Sequence, residues 1–260
     1  MSAERYGDVH VAIADHVATV EIRRPPNNFF DRRLIADIAD AFADLDREPA
    51  CRAILLAAEG KAFCAGADFS RDSILDHGQP TGRNPLYDEA VRLFSGLKPV
   101  VAAIQGPAIG GGLGLALVAD FRVAAPEARF AANFVKIGIH PGFGLTYTLP
   151  RLVGQQKAAE MFMTGRRVGG EEAVAWGLAD RLAPLDRLRA EAHAFAAEIA
   201  EGAPLAVQST RLTLRRHLAA AVREQTDREG AEQSWLSRTH DHAEGVRAVA
   251  ERRKGNFEGR

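Results

Sequence analysis

Cysteine is scarce in this chain: 260 residues contain two, Cys51 and Cys64. They have neither the number nor the spacing of a disulfide framework or a zinc site, which fits a reducing compartment. Long apolar runs are also missing. The opening MSAERYGDVH lacks the apolar stretch of a secretory signal, and no run approaches the length of a membrane span, so a soluble cytoplasmic protein is expected. An excess of one charge is missing too, since 33 basic and 34 acidic side chains leave a formal charge of -1. No long-range field then draws the chain toward nucleic acid or an anionic membrane, and no basic stretch interleaved with aromatics suggests RNA binding.

Several chemical signatures are absent. There is no GxxxxGK[ST] phosphate loop, and no GxGxxG followed by an acidic ribose ligand, which disfavours nucleoside triphosphates and dinucleotides. Without HExxH or GxSxG, the metalloprotease and serine-hydrolase readings lack their defining residues. His240 and His242, in THDH before the last helix, have no third ligand at zinc spacing and read as solvated. Met161 and Met163 read as core packing.

What is present is material for a large αβ core, with 47% hydrophobic residues. VHVAIADHVATVEIRR alternates apolar and polar residues on either side of Asp15-His16, the pattern of a hairpin, and Arg24-Pro25-Pro26-Asn27-Asn28 ends it. Asp31 is placed to cap a helix with apolar positions Leu34, Ile35, Ile38, Phe42 and Leu45, followed by a buried strand from Ala53 to Ala58. A second unit follows: an amphipathic stretch around Leu86 to Phe94, a strand Val100 to Ile104, a glycine cluster, a helix through Leu115 and Val118, and a strand Phe121 to Ala124. Strands joined by helical crossovers imply parallel pairing. Asp76 to Pro85 reads as a mobile surface loop, either lid or connector. Beyond Leu185 three helical segments, about 186 to 201, 205 to 217 and 219 to 238, carry no strand between them. The expected organisation is a core over 1–185 and a helical segment over 186–260.

The chemistry lies in two glycine segments. Gly60-Lys61-Ala62-Phe63-Cys64-Ala65-Gly66-Ala67-Asp68-Phe69 follows one strand. Gly106-Pro107-Ala108-Ile109-Gly110-Gly111-Gly112-Leu113-Gly114 follows the next and runs into a helix, where unpaired N–H groups favour negative charge. Alone, either segment is an ordinary turn. Together they offer two backbone donors suited to a carbonyl oxygen becoming an enolate, each worth about 3 kcal/mol in the transition state.

The pair AFCAGADF and AIQGPAIGGGLGLALVADFRVA resembles the crotonase (enoyl-CoA hydratase/isomerase) superfamily, and the likeness runs from the hairpin to the terminal ERRKGNFEGR. The resemblance implies an α/β fold with a ββα spiral core and a C-terminal helical segment, assembled as a homotrimer or a dimer of trimers. It implies an acyl-CoA substrate, with no metal or redox cofactor beyond the coenzyme A of the substrate itself. Ala67 and Gly111 match the oxyanion donors. Backbone at Ala65, Ala67, Asp68 and Phe69 matches the coenzyme A pocket, Asp68 also being suited to fixing the turn, and Arg252 matches a basic residue that reaches the ribose phosphate of its own or a neighbouring site.

One departure bears on the reaction. The two glutamates that manage water in family hydratases correspond to Gly114 and Phe134 here. Positioned acid and base groups contribute about a hundredfold to ten-thousandfold each, so efficient hydration is not expected. Isomerisation or another nonhydrating reaction is favoured, with a noncatalytic acyl-CoA binding or scaffold protein as the alternative. His140, in IGIHPGFG, is the candidate replacement base, because some family members place a catalytic side chain in this turn and its ordinary pKa suits proton transfer near neutrality. The competing reading is an ordinary loop histidine. Asp72, Asp88 and Glu89 are outside candidates.

Overall fold

The structure, a computed structural model, describes residues 4–67 and 84–260. In chain order its first elements are strands β1 (Glu4–Tyr6), β2 (Val9–Ala14) and β3 (Val17–Ile22), helix α1 (Arg32–Arg47), strand β4 (Ala53–Ala58), helix α2 (Pro85–Phe94) and strand β5 (Val100–Ile104). Next come β6 (Pro107–Ile109), α3 (Gly111–Ala116), β7 (Phe121–Ala124), β8 (Arg129–Ala131), a 3₁₀ turn (Asn133–Ile137), α4 (Leu145–Val153), α5 (Gln155–Thr164), β9 (Arg167–Gly169), α6 (Gly170–Trp176) and β10 (Arg181–Leu182). Four helices finish the chain: α7 (Leu188–Ala200), α8 (Pro204–Leu214), α9 (Leu218–Leu236) and α10 (His240–Ala250).

The predicted hairpin forms with Ala14 opposite Val17, and both turn residues, Asp15 and His16, take positive φ. That left-handed pair matches the twist of the two strands. Asp31 caps α1 by accepting the Leu34 N–H at 2.8 Å, as its position in the sequence suggested. The main sheet runs β1-β2-β3-β4-β5-β7-β10, antiparallel through the hairpin and parallel from β3 to β10.

Strand β4 is buried at every residue because both faces of the sheet are covered. Ile54, Leu56 and Ala58 face the large core built with α1 and α2. Ala53, Leu55 and Ala57 face a second layer in which Leu188, Ala192, Phe195 and Ala196 of α7 pack. A smaller sheet, β6-β8-β9, stands beside the main one and carries the glycine-rich turn between β6 and α3. It was not evident from the sequence, since three-residue strands leave no readable alternation.

Two buried ion pairs tie α8 to the sheet. Asp120 accepts from Arg211 at 2.7 Å, from Arg215 at 2.6 Å and from the Val100 N–H at 2.8 Å. Burial acts to raise its carboxyl, but the charges of Arg215 and Arg211 bring it below the ordinary value.

Three expectations are corrected. The helix expected through Val118 stops at Ala116. Met163 is 78% exposed, because two positions along α5 turn it away from the face that buries Met161. The two histidines of THDH lie inside the first turn of α10, not before it: Thr239 caps that helix, and His242 is part-buried with its Nδ1 2.7 Å from the Ile137 carbonyl oxygen. No described helix is long and apolar enough to cross a membrane.

Candidate active site

The two glycine segments meet. Cys64 and Ala108 pair in a parallel bridge, and the Ile109 N–H donates to the Cys64 carbonyl at 3.0 Å. Gly112 makes this approach possible, since a Cβ there would lie 2.8 Å from the Cys64 carbonyl carbon. Phe30 bridges to Ala67, its N–H donating to the Gly66 carbonyl at 2.9 Å, which fixes the first segment against the start of α1.

Ala67 and Gly111 line the same cavity, which has a volume of about 380 Å³. Gly111 is the first residue of α3, where a helix leaves its N–H groups without intrahelical acceptors. Neither the Ala67 nor the Gly111 N–H has a hydrogen-bond acceptor among the described residues. Ala65 also lines the cavity, with its N–H donated to the Asn27 carbonyl. Asp68, Phe69, Asp72 and the stretch 76–83 lie outside the described residues.

The cavity is walled by Phe29, Phe30, Phe134 and Phe143, by isoleucines at 109, 137 and 139, and by Val246, Val249 and Ala250 of α10. Helix α10 therefore covers the cavity of its own chain. Arg252 lies two residues past Ala250, exposed and outside the lining. No Asp, Glu, Lys, Arg or His lines the cavity among the described residues, and Tyr87 is the one titratable side chain that does. No described group of three or more His, Cys, Asp and Glu could hold a metal ion.

The positions matching the hydratase glutamates are filled by aromatic packing. A Cβ on Gly114 would come within 2.7 Å of the Phe143 Cβ and 2.8 Å of its ring. Phe143 in turn packs edge-on to Phe30, with centroids 5.6 Å apart. Phe134 is itself part of the wall.

His140 stands at the edge of this cavity, but its ring is not in the lining; Nδ1 lies 2.8 Å from the Pro141 carbonyl. Its backbone carbonyl accepts from Gln233 Nε2 at 2.9 Å, and Gln233 Oε1 accepts from the Tyr87 hydroxyl at 2.7 Å. Tyr87 and Gln233 were missed in the sequence, being 146 residues apart and marked by no motif. Asp88 and Glu89 are engaged elsewhere, Asp88 with Arg223 and Glu89 with Arg32 and Arg92. Burial pushes the Cys64 thiol up to about 12, which keeps it protonated.

Behind the wall, Glu229 accepts from the Gly144 N–H at 2.7 Å, the Thr146 N–H at 3.0 Å and the Thr146 hydroxyl at 2.6 Å. It caps α4 from α9, since Gly144 has no side chain to do so. Burial pushes this carboxyl up to about 7 in spite of these donors.

Residues 12–260 match the enoyl-CoA hydratase/isomerase family. The chain belongs to that family. An enoyl-CoA isomerase/hydratase of Zymoseptoria tritici is 33% identical over 280 residues, covering 100% of this chain and 89% of the relative. The (E)-benzylidenesuccinyl-CoA hydratase of Thauera aromatica is 33% identical over 267 residues, covering 96% and 99% of the two chains. The crystal structure of an enoyl-CoA hydratase/isomerase from Pseudoalteromonas atlantica superposes with a TM-score of 0.85 at 30% identity, covering 96% of this chain and all of that one. The crotonase fold expected from the two glycine segments is therefore the fold of this family member.

Proposed function

We propose that this enoyl-CoA hydratase/isomerase family member binds an acyl-CoA, holds its thioester carbonyl between the N–H groups of Ala67 and Gly111, and stabilises an enolate. The observation that supports this reading is that Ala67 and Gly111, whose N–H groups have no described acceptor, line one largely apolar cavity. In such a wall a hydrogen bond to developing charge is worth more than in water. Coenzyme A enters as part of the substrate, and the exposed Arg252 beyond α10 is the residue we assign to its ribose phosphate.

The reaction we favour is not hydration, although the Thauera relative is named for one. A hydratase needs groups that activate water and deliver a proton. Here Phe143 crowds the space beside Gly114, and Phe134 replaces the second carboxylate with a ring. An apolar site that stabilises an enolate suits isomerisation or a related nonhydrating reaction; no acid or base lines the cavity among the described residues, so we propose that the α-proton passes to Asp68 or Asp72, which lie outside them, ahead of His140 at the cavity's edge. The same lack of lining carboxylates among the described residues supports a second reading, a noncatalytic acyl-CoA binder.

Incubation with acyl-CoAs in heavy water separates them. Exchange of α-protons supports the enzyme, whereas tight binding without exchange or product supports the binder. We further propose a homotrimer or dimer of trimers, in keeping with the exposed Leu205, Leu212 and Leu214 on α8. Sedimentation measures it.

A further inference from the structure

Among the described residues the cavity wall carries polar side chains that carbonyl activation does not use, Asn133 and the hydrogen-bonded pair Tyr87 and Gln233. Gln233 is 1% exposed and lines the cavity beside Tyr87. Its orientation is fixed by chemistry, because the His140 carbonyl can only accept and so must face Nε2. Oε1 is left for the Tyr87 hydroxyl, which donates to it at 2.7 Å.

The bonds leave capacity over. The amide retains a second Nε2–H and a second lone pair on Oε1, and the phenol oxygen retains its acceptor capacity. Room for the pair is secured at Gly142, where a Cβ would come 2.6 Å from Gln233 Nε2 and closer still to the Tyr87 oxygen. Burying an amide and a phenol costs more than burying leucine and phenylalanine unless their polar atoms are satisfied. A wall meant only for hydrocarbon would not need them.

The charge balance narrows the ligand. No cation lines the cavity among the described residues, and Glu229 lies close enough to Tyr87 to act on its phenol through charge. A carboxylate there would be buried without a partner, whereas a neutral oxygen could use both donor and acceptors.

We propose that Tyr87 and Gln233 form a hydrogen-bonding subsite that selects CoA thioesters whose acyl group carries an uncharged oxygen, such as a hydroxyl or keto group, beyond the β carbon. The inference rests on the acyl-CoA reading above and names the substrate class for that site. Tyr87 and Gln233 are specificity residues; they take no part in the bond changes.

The test is calorimetric titration of the full chain with hexanoyl-CoA, with hexanoyl-CoAs hydroxylated in turn at each carbon beyond the β position, and with the CoA monothioester of adipic acid. At least one hydroxylated thioester is expected to bind about tenfold tighter than hexanoyl-CoA, and the adipoyl thioester more weakly than either. The preference ratio is expected to fall below about twofold in both Tyr87→Phe and Gln233→Leu, whichever of them folds by thermal melt. Equal binding of hydroxylated and plain thioesters by the unaltered chain, or a preference that survives in a folded variant, overturns the subsite alone. Failure of every thioester to bind overturns the acyl-CoA reading and the subsite with it.

Discussion

Phe143 occupies the space that any side chain on Gly114 would need: a Cβ built on Gly114 lies 2.7 Å from the Phe143 Cβ. Phe143 holds this position at a φ of 64°, a left-handed conformation that strains a residue with a Cβ. The strain and the missing carboxylate are therefore two sides of one packing arrangement.

Gly114→Ala is expected to cost about 1 to 3 kcal/mol through overpacking. In a Phe143→Gly background, which removes both ring and Cβ, the same substitution should cost at least about 1 kcal/mol less. Denaturant melts of the four proteins measure this coupling. Additive costs would mean that the two residues do not compete for the space.

Glu229 should make stability depend on pH. Its carboxyl is raised to about 7 in the folded chain, whereas an unfolded glutamate ionises near about 4.3. An acid raised by folding favours the native state most at low pH, so this contribution is complete below about 4.3, is lost as pH rises to about 7 and is level above. The full change is roughly 4 kcal/mol. Glu229→Gln is expected to flatten that slope in melts across this range, and an unchanged slope would assign it to other groups.

The Asp120 cluster should behave as a buried network. Asp120→Asn leaves the Arg211 and Arg215 guanidinium groups short of their counter-charge, at a cost of about 3 to 5 kcal/mol. Glu191→Ala breaks the exposed pair with Arg187 and should change stability by less than about 1 kcal/mol. Comparable effects from both would contradict the account.

His140 offers a direct test of its ring. With Nδ1 beside the Pro141 carbonyl and the ring outside the cavity lining, His140→Ala is expected to keep α-proton exchange within about threefold. A loss of a hundredfold or more would give the ring the proton-transfer role considered from its place in IGIHPGFG.

Much of this arrangement was legible in the sequence because its signals are local. The hairpin around Asp15-His16, the Asp31 cap and the strands β4, β5 and β7 follow from alternation, capping chemistry and apolar runs within a few residues. The meeting of the two glycine segments followed from their family resemblance, and the contact of Gly112 with Cys64 supplies its steric reason. What escaped is nonlocal. Tyr87 and Gln233 join α2 to α9, Glu229 reaches Gly144 across 85 residues, and no short window links such partners. Met163 and His242 were misjudged because residue type was read without the helix face each would occupy.

The most direct test of the central claim is α-proton exchange from a bound acyl-CoA in heavy water, followed by mass spectrometry. Because a Cβ at Gly111 would strike the Phe30 ring, Gly111→Pro is best compared in a Phe30→Ala background, with Phe30→Ala alone as the reference. The account expects exchange in the reference and a loss of about a hundredfold or more once the Gly111 N–H is removed. Exchange that persists without that N–H in a folded protein would contradict it.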